Sequence, residues 1–122
     1  MQDRPTLSEL VESVRLYLEG TALPHLTGHA AFHGKVAVNV LGIVQRELAQ
    51  GPRNDAAERE RLSELLGESG DLQTLNRRLC QRIREGAIDL ESPALRDHLR
   101  RTAIEKLGID NPKYASYLRV SR

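Results

Sequence analysis

Apolar residues recur along this chain at intervals of three and four, and they nowhere alternate with polar residues over the length of a strand. That spacing places apolar side chains on one face of an α-helix. It predicts an all-α protein with five helices. Because the intervening loops are short, neighbouring helices should run antiparallel, as a mostly up-and-down bundle around a long central second helix.

Glycine, proline and capping residues mark where each predicted helix begins and ends. Thr6 with Glu9 forms a capping box at the start of the first helix, whereas Gly51 with Pro52 is typical of a helix end. The five predicted helices are bounded by Thr6 and Gly20, Gly28 and Gln50, Asp55 and Leu66, Asp71 and Gly86, and Ser92 and Leu107.

The second predicted helix carries the longest apolar pattern of the chain. At about 100° per residue, its apolar residues between Phe32 and Leu48 cover about half of the helix circumference. We therefore expect it to be the most buried helix. The third predicted helix has a thin apolar face, which predicts a peripheral position under solvent; this face consists of Ala57, Leu62, Leu65 and Leu66.

Length and composition indicate one ordinary domain over residues 1–122, with 39% hydrophobic and 29% charged residues. The single cysteine, Cys80, excludes an intrachain disulfide. The first residues lack the basic and then apolar layout of a secretory signal, and the apolar stretch from Ala30 to Val44 is too short and too polar to cross a bilayer. We therefore expect a cytoplasmic protein without a membrane span.

Charge is distributed unevenly along the chain. Residues 1–70 hold 7 Lys or Arg against 10 Asp or Glu, and residues 71–122 hold 11 against 7, so the halves differ in sign at −3 and +4. A basic half is one mark of a nucleic-acid-binding surface, but acidic residues interleave these arginines. Packing of complementary halves explains the asymmetry as well, and the pattern does not favour nucleic-acid binding.

Three histidines, His25, His29 and His33, are spaced at four residues around the start of the second helix. Two histidines one turn apart can share a metal ion. However, His25 precedes the predicted helix, and Glu47 lies about 21 Å further along the axis. The sequence therefore predicts no metal and no other cofactor, with a site on His29 and His33 as the weaker alternative. The favoured interpretation is a partly buried histidine pair bonded to neighbouring groups.

Two amides, Asn39 and Asn76, fall at or near the apolar faces of the second and fourth predicted helices. A buried amide without partners costs roughly 1–3 kcal/mol, so each should bond to another group. A structural network is favoured, but convergence of both amides with His33 would form a small-molecule pocket. Arginine outnumbers lysine by 15 to 3, and the helix carrying Arg77 and Arg84 could contact an anion, although a solvated face is the favoured explanation of these arginines.

Four segments resemble a family of short bacterial proteins known as a domain of unknown function: RPTLSELVESVRLYLEG, FHGKVAVNVLGIVQREL, LNRRLCQRIREG and IDNPKY. Members of this family occur beside, or fused to, aminoglycoside-phosphotransferase-like kinases and acyl-CoA dehydrogenases. The resemblance implies a role in acyl or CoA-linked catabolism, and it implies no active site. The matching residues without an assigned role are Phe32, His33, Asn39, Asn76, Arg77, Arg84, Asn111, Pro112 and Tyr114.

These observations favour a non-catalytic helical accessory module, whose partner would be a kinase-like protein or an acyl-CoA dehydrogenase. The alternative is a protein that binds a small ligand or an acyl-CoA, with candidate ligand-binding residues His33, Asn39, Asn76, Arg77, Arg84 and Tyr114. A third hypothesis is a metal-dependent enzyme on His29 and His33. Gly34 and Gly42 indicate close approach of a neighbouring helix, which belongs either to this chain or to a second subunit of a homodimer.

Overall fold

The computed structural model describes residues 3–121, and within that range the chain forms five α-helices and no strand. The helices are α1 (Leu7–Tyr17), α2 (Gly28–Leu66), α3 (Leu72–Arg84), α4 (Pro93–Asp110) and α5 (Ala115–Val120). The predicted all-α class and the long second helix are confirmed. None of the described helices combines the length and the apolar character needed to cross a bilayer. The first two residues and the last residue of the predicted domain lie outside the described residues.

α1 begins as its sequence predicts and ends earlier than expected. Thr6 accepts a hydrogen bond from the backbone of Glu9, and the Glu9 carboxylate accepts one from the backbone of Thr6, which completes the capping box. Gly20 does not end the helix, because it lies inside a single π-helical turn, Leu18–Ala22. A short 3₁₀ turn, Leu23–His25, then leads towards α2.

α2 contains both the second and the third predicted helices. The predicted end at Gly51 and Pro52 is wrong, because the helix continues through Pro52 to Leu66. Proline deprives the Leu48 carbonyl of its usual N–H partner, which weakens a helix locally. The residues that follow are mostly alanine, glutamate and arginine, which favour helix, and packing of Leu62 and Leu66 holds the second half in place.

α4 runs past its predicted end. Ser92 caps its start as expected, but Gly108 lies inside the helix and is buried. A Cβ atom at this position would lie 3.0 Å from the hydroxyl oxygen of Tyr117, so glycine here makes room for α5 rather than ending α4. The last segment, expected to be a tail, forms α5, and its Tyr117 packs on Gly108.

The chain divides into two compact units, Met1–Gly51 and Pro52–Arg122, and α2 is continuous through the boundary. A single domain over residues 1–122 stays a prediction. The first unit is a helical hairpin. The Gln45 amide donates to the Glu12 carboxylate, while the Leu23 side chain packs on Gly34, so later residues of α1 and its connection lie beside earlier residues of α2. The two helices are therefore antiparallel.

The second unit contains the hydrophobic core. Its buried members come from α2, α3 and α4, and partly buried leucines and isoleucines pack around them. The core consists of Leu62, Leu66, Leu75, Leu79 and Leu95. The expectation that the segment from Asp55 to Leu66 is peripheral is wrong, because this segment contributes the fully buried Leu62. A thin apolar face is sufficient where two other helices place leucines against it.

The first unit lacks such a core. No residue from 3 to 50 is buried, and apolar side chains at the start of α2 are exposed, with Phe32 at 63% and Val40 at 50%. The prediction that this part of the chain is the most buried is therefore wrong. Within the unit, α1 covers only one side of α2. The apolar residues on the other side of α2, such as Phe32 and Val40, face outwards.

Candidate functional site

The predicted site residues of the first unit lie on its surface. His29, His33 and Asn39 are exposed, and the His33 ring makes an edge contact with Phe32 at a centroid distance of 5.5 Å. His33 and Asn39 are six residues apart, so they point about 120° from each other around α2. Among residues 3–121, no group of three or more His, Cys, Asp or Glu side chains is placed to hold a metal ion.

Asn76 belongs to the second unit, where its amide already has a partner. Its Nδ2 atom donates to Oε1 of the buried Glu58 at 3.3 Å. The hydrogen bond joins α3 to α2 next to the leucine core. Within this unit Asn76 therefore contributes to a structural network, which is the interpretation that its position on the inward face of α3 favoured.

The α3 arginines divide into two pairs with different surroundings. Arg78 and Arg82 lie 3.8 and 3.5 Å from Oε2 of Glu68, and Arg82 also donates to the Leu66 carbonyl at 2.9 Å. Arg77 and Arg84, the two predicted as ligand contacts, are exposed and lie two turns apart on one face. Tyr114 is also exposed, at the residue preceding α5, in the same unit.

A partly buried polar cluster in the second unit was not predicted from the sequence. His98 of α4 is only 3% exposed, and its Nδ1 atom accepts a hydrogen bond from Nε of Arg61 at 3.4 Å. The two terminal nitrogens of Arg61 donate to the two oxygens of Glu105, each at 3.1 Å, and one also donates to the Thr102 hydroxyl at 3.2 Å. The cluster fastens α2 to α4.

Burial keeps the His98 imidazole neutral. Removal from water is the main cause that lowers the pKa of His98 below the ordinary value of about 6.5, and the positive charge of Arg61 lowers it further. Glu58 and Glu105 act in the opposite direction without overcoming these causes. A ring that accepts at Nδ1 carries its proton on Nε2, which agrees with a neutral imidazole.

This cluster borders a cleft of about 370 Å³, lined by Arg61, Glu64, Leu65, Ala94, Asp97 and His98. The charged groups of the cluster are paired with each other, because both terminal nitrogens of Arg61 donate to the Glu105 carboxylate. Its chemistry is therefore that of a structural ion pair with a neutral imidazole beside it.

The signal for the cluster lay in the spacing of α4. Its inward residues are separated by three and four, in the order Leu95, His98, Thr102, Glu105 and Ile109, and all of them are buried or half-buried. Leu99, which the apolar pattern places inwards, is instead 47% exposed. An inward face that includes polar residues is invisible to a search for apolar residues alone.

The buried neutral state of His98 predicts a pH-dependent stability. In the unfolded chain the imidazole titrates near pH 6.5, and in the folded chain it titrates lower, so the unfolded state binds its proton first as the pH falls. The stability from the neutral buried ring is present above about pH 6.5 and is lost as the pH falls through the folded pKa. We expect the free energy of unfolding, measured in urea, to decrease from about pH 7.5 to 5.5.

The control for this effect is His98→Gln, which keeps a hydrogen-bond acceptor for Arg61 but does not titrate. The variant should show a smaller decrease in the free energy of unfolding over the same pH range. Equal decreases in the parent and the variant would contradict the assignment of the pH dependence to His98.

The outward side of the first unit carries exposed apolar residues from both helices. On α1, Leu10, Val14 and Tyr17 each immediately precede a half-buried residue, and on α2 the same holds for Val36, Val40 and Val44. Because antiparallel helices turn in opposite senses when viewed from one end, the two exposed stripes lie on the same side of the hairpin. We call this surface the α1–α2 face: Leu7, Leu10, Val14, Tyr17, Phe32, Val36, Val40 and Val44.

The fold and these sites describe an all-α protein with a paired polar cluster in one unit and an uncovered apolar face in the other. Residues 24–114 of the 122-residue chain match the model of a domain of unknown function (DUF6285), which is more than half of the chain. The chain therefore belongs to the DUF6285 family. The match includes α2, α3 and α4. No protein of curated function and no solved structure matches this chain.

Proposed function

We propose that this chain is a non-catalytic helical interaction module, which serves a phosphotransferase-like kinase or an acyl-CoA dehydrogenase. The α1–α2 face carries the proposal. It presents eight exposed apolar side chains in a unit where no residue from 3 to 50 is buried. A helical hairpin of this kind completes a hydrophobic core only when another protein surface packs against it.

The size of the face supports an interaction role. The exposed fractions of its eight residues amount together to about four whole residues, or roughly 700 Å² at about 180 Å² each. The largest apolar patch of a typical monomer is about 300–600 Å². A larger patch in a chain of ordinary polarity marks a surface that binds protein.

The resemblance supplies the class of the enzyme partner, because related proteins occur beside or fused to these two enzymes. The polar cluster supports a non-catalytic role. His98 accepts from Arg61, Arg61 is held by Glu105, and the three side chains stabilise the packing of α4 on α2.

The proposal is tested by mixing the full chain with a purified phosphotransferase-like kinase or acyl-CoA dehydrogenase from the same organism. The molar mass of each mixture is measured by light scattering during gel filtration. A complex of fixed stoichiometry with one enzyme is expected at about 10 μM protein, which corresponds to a free energy of binding of about −7 kcal/mol or better. No complex with either enzyme at that concentration would contradict the enzyme-serving role.

A second candidate function is the binding of an acyl-CoA through its phosphates. The separation of the α3 arginines favours it, because Arg77 and Arg84 share an exposed face while Arg78 and Arg82 lie beside Glu68. Tyr114, which is exposed in the same unit as these arginines, remains a candidate ligand residue. The melting temperature of the chain, measured with and without an acyl-CoA, distinguishes this function, because a bound ligand raises it.

A further inference from the structure

We propose that the α1–α2 face is a homodimer interface, on which a second copy of this chain packs about a two-fold axis beside Val40. The inference rests on the proposed function, since it names what covers the face. The interaction module is then a dimer, and binding of an enzyme is a separate property that the outcomes below distinguish from dimerisation.

The pattern of exposed residues along α2 is symmetric about Val40. His33, Val36, Val40, Val44 and Glu47 are all exposed, and their spacings are three, four, four and three. At about 100° per residue they fall within an arc of about 80°, so they form one stripe. In each direction from Val40, a valine comes first and a polar residue comes second.

This symmetry matches the requirement of an isologous interface, in which each copy presents the same surface to the other. When two copies of α2 cross antiparallel at Val40, Val36 of one copy lies opposite Val44 of the other. The same operation places His33 opposite Glu47 at both ends of the stripe. Each copy therefore contributes an imidazole at one end and a carboxylate at the other.

The two polar ends distinguish a second copy from an unrelated protein. An unrelated partner needs its own hydrogen-bond acceptor opposite His33 and its own donor opposite Glu47, whereas two-fold symmetry supplies both, because an imidazole N–H donates to a carboxylate. The net charge of the chain is +1, so repulsion between two copies is small. The stripe between the two polar ends contains no charged residue on the same arc.

The area of the face matches the requirement of a stable dimer. Its roughly 700 Å² of apolar surface per copy is close to the about 800 Å² per partner of a standard protein interface. The exposed stripe of α1 lies on the same side of the hairpin and widens the contact beyond α2. Two hairpins packed in this way form a four-helix arrangement, which buries the apolar half of α2 that α1 leaves exposed.

The test is the mass of the full chain alone, measured by analytical ultracentrifugation between about 1 and 100 μM. The parent chain is expected at twice its 13.7 kDa mass. Val40→Glu places two carboxylates against each other on the two-fold axis and should weaken dimerisation at least about a hundredfold. Because Val40 is 50% exposed, the variant chain keeps its helices, which circular dichroism verifies.

The matched control is Ala49→Glu, which introduces the same charge into the same helix. Ala49 is exposed and lies about 180° around α2 from Val40, so this variant should dimerise like the parent. A second test exchanges the polar ends. His33→Glu alone should weaken the dimer, and His33→Glu combined with Glu47→His should restore it to within about fivefold of the parent.

The outcomes separate this inference from the proposed function. A parent chain that is monomeric at about 100 μM, or a Val40→Glu variant that dimerises as the parent does, overturns the homodimer. A monomeric chain whose enzyme complex is lost in Val40→Glu overturns the homodimer and supports the enzyme as the occupant of the face. A dimer that binds neither enzyme supports the homodimer and contradicts the enzyme-serving role.

Discussion

Leu75→Ala is expected to lower the free energy of unfolding of the second unit by about 3 kcal/mol. Leu75 is 1% exposed and belongs to the core formed by α2, α3 and α4. The substitution removes buried methyl and methylene groups and leaves a cavity, which the surrounding side chains of α2, α3 and α4 fill only in part. Urea unfolding followed by circular dichroism measures the change, through the midpoint and its slope.

Leu99→Ala is the matched control, because the apolar pattern of the sequence places both leucines inwards. Leu99 is 47% exposed, so its truncation should change the free energy of unfolding by no more than about 0.5 kcal/mol. Similar losses in the free energy of unfolding at Leu75 and Leu99 would contradict the structure, because they would mean that Leu99 points into the core.

Glu105→Ala is expected to destabilise the second unit by about 2–3 kcal/mol. The Arg61 side chain is 17% exposed, and the substitution removes both carboxylate oxygens that its terminal nitrogens contact. A largely buried guanidinium then lacks its counter-charge. Solvent at the edge of the cluster reduces the loss below that of a fully buried pair. The free energy of unfolding at neutral pH measures it.

Asp97→Ala removes one carboxylate from the same helix and is the control. Asp97 pairs with Arg101 at 2.9 Å, but the two side chains are 54% and 60% exposed, so the loss should stay below about 0.5 kcal/mol. Arg61→Leu combined with Glu105→Leu should recover much of the stability, because it leaves no unpaired charge. Equal losses in Glu105→Ala and Asp97→Ala would contradict the role of the ion pair in holding α2 to α4.

Local signals predicted the helices well. The capping box at Thr6 and the caps at Asp71 and Ser92 lie where the sequence predicted them. A cap involves only a side chain and the backbone three residues away, so its energy is decided within one turn. The same locality explains why intervals of three and four were sufficient to identify an all-α fold.

Signals that depend on distant contacts were misread. Pro52 is a helix breaker by local rules, yet α2 passes through it, because the loss of one hydrogen bond is smaller than the gain from burying Leu62 and Leu66 in the core. Gly108 has the form of a stop signal, but here it makes room for Tyr117. In both cases the decisive partner is remote in sequence.

The candidate sites show the same division. The sequence identified His33 and Asn76 as polar residues on apolar faces, but it could not show that Asn76 bonds to Glu58 or that His33 is exposed beside Phe32. It also missed His98, because a search for apolar spacing alone does not find an inward face that includes polar residues. Only the packing of α4 on α2 makes that histidine buried and neutral.

By itself, the sequence determined the all-α class, the caps and the presence of a long apolar second helix, because each depends on interactions within a few residues. The tertiary structure decided which part of that helix is covered. The short apolar face around Leu62 is buried because α3 and α4 supply leucines, and the long apolar face around Val40 is exposed because α1 covers only one side of it. Burial depends on what packs against a face, and amphipathicity alone does not specify the partner.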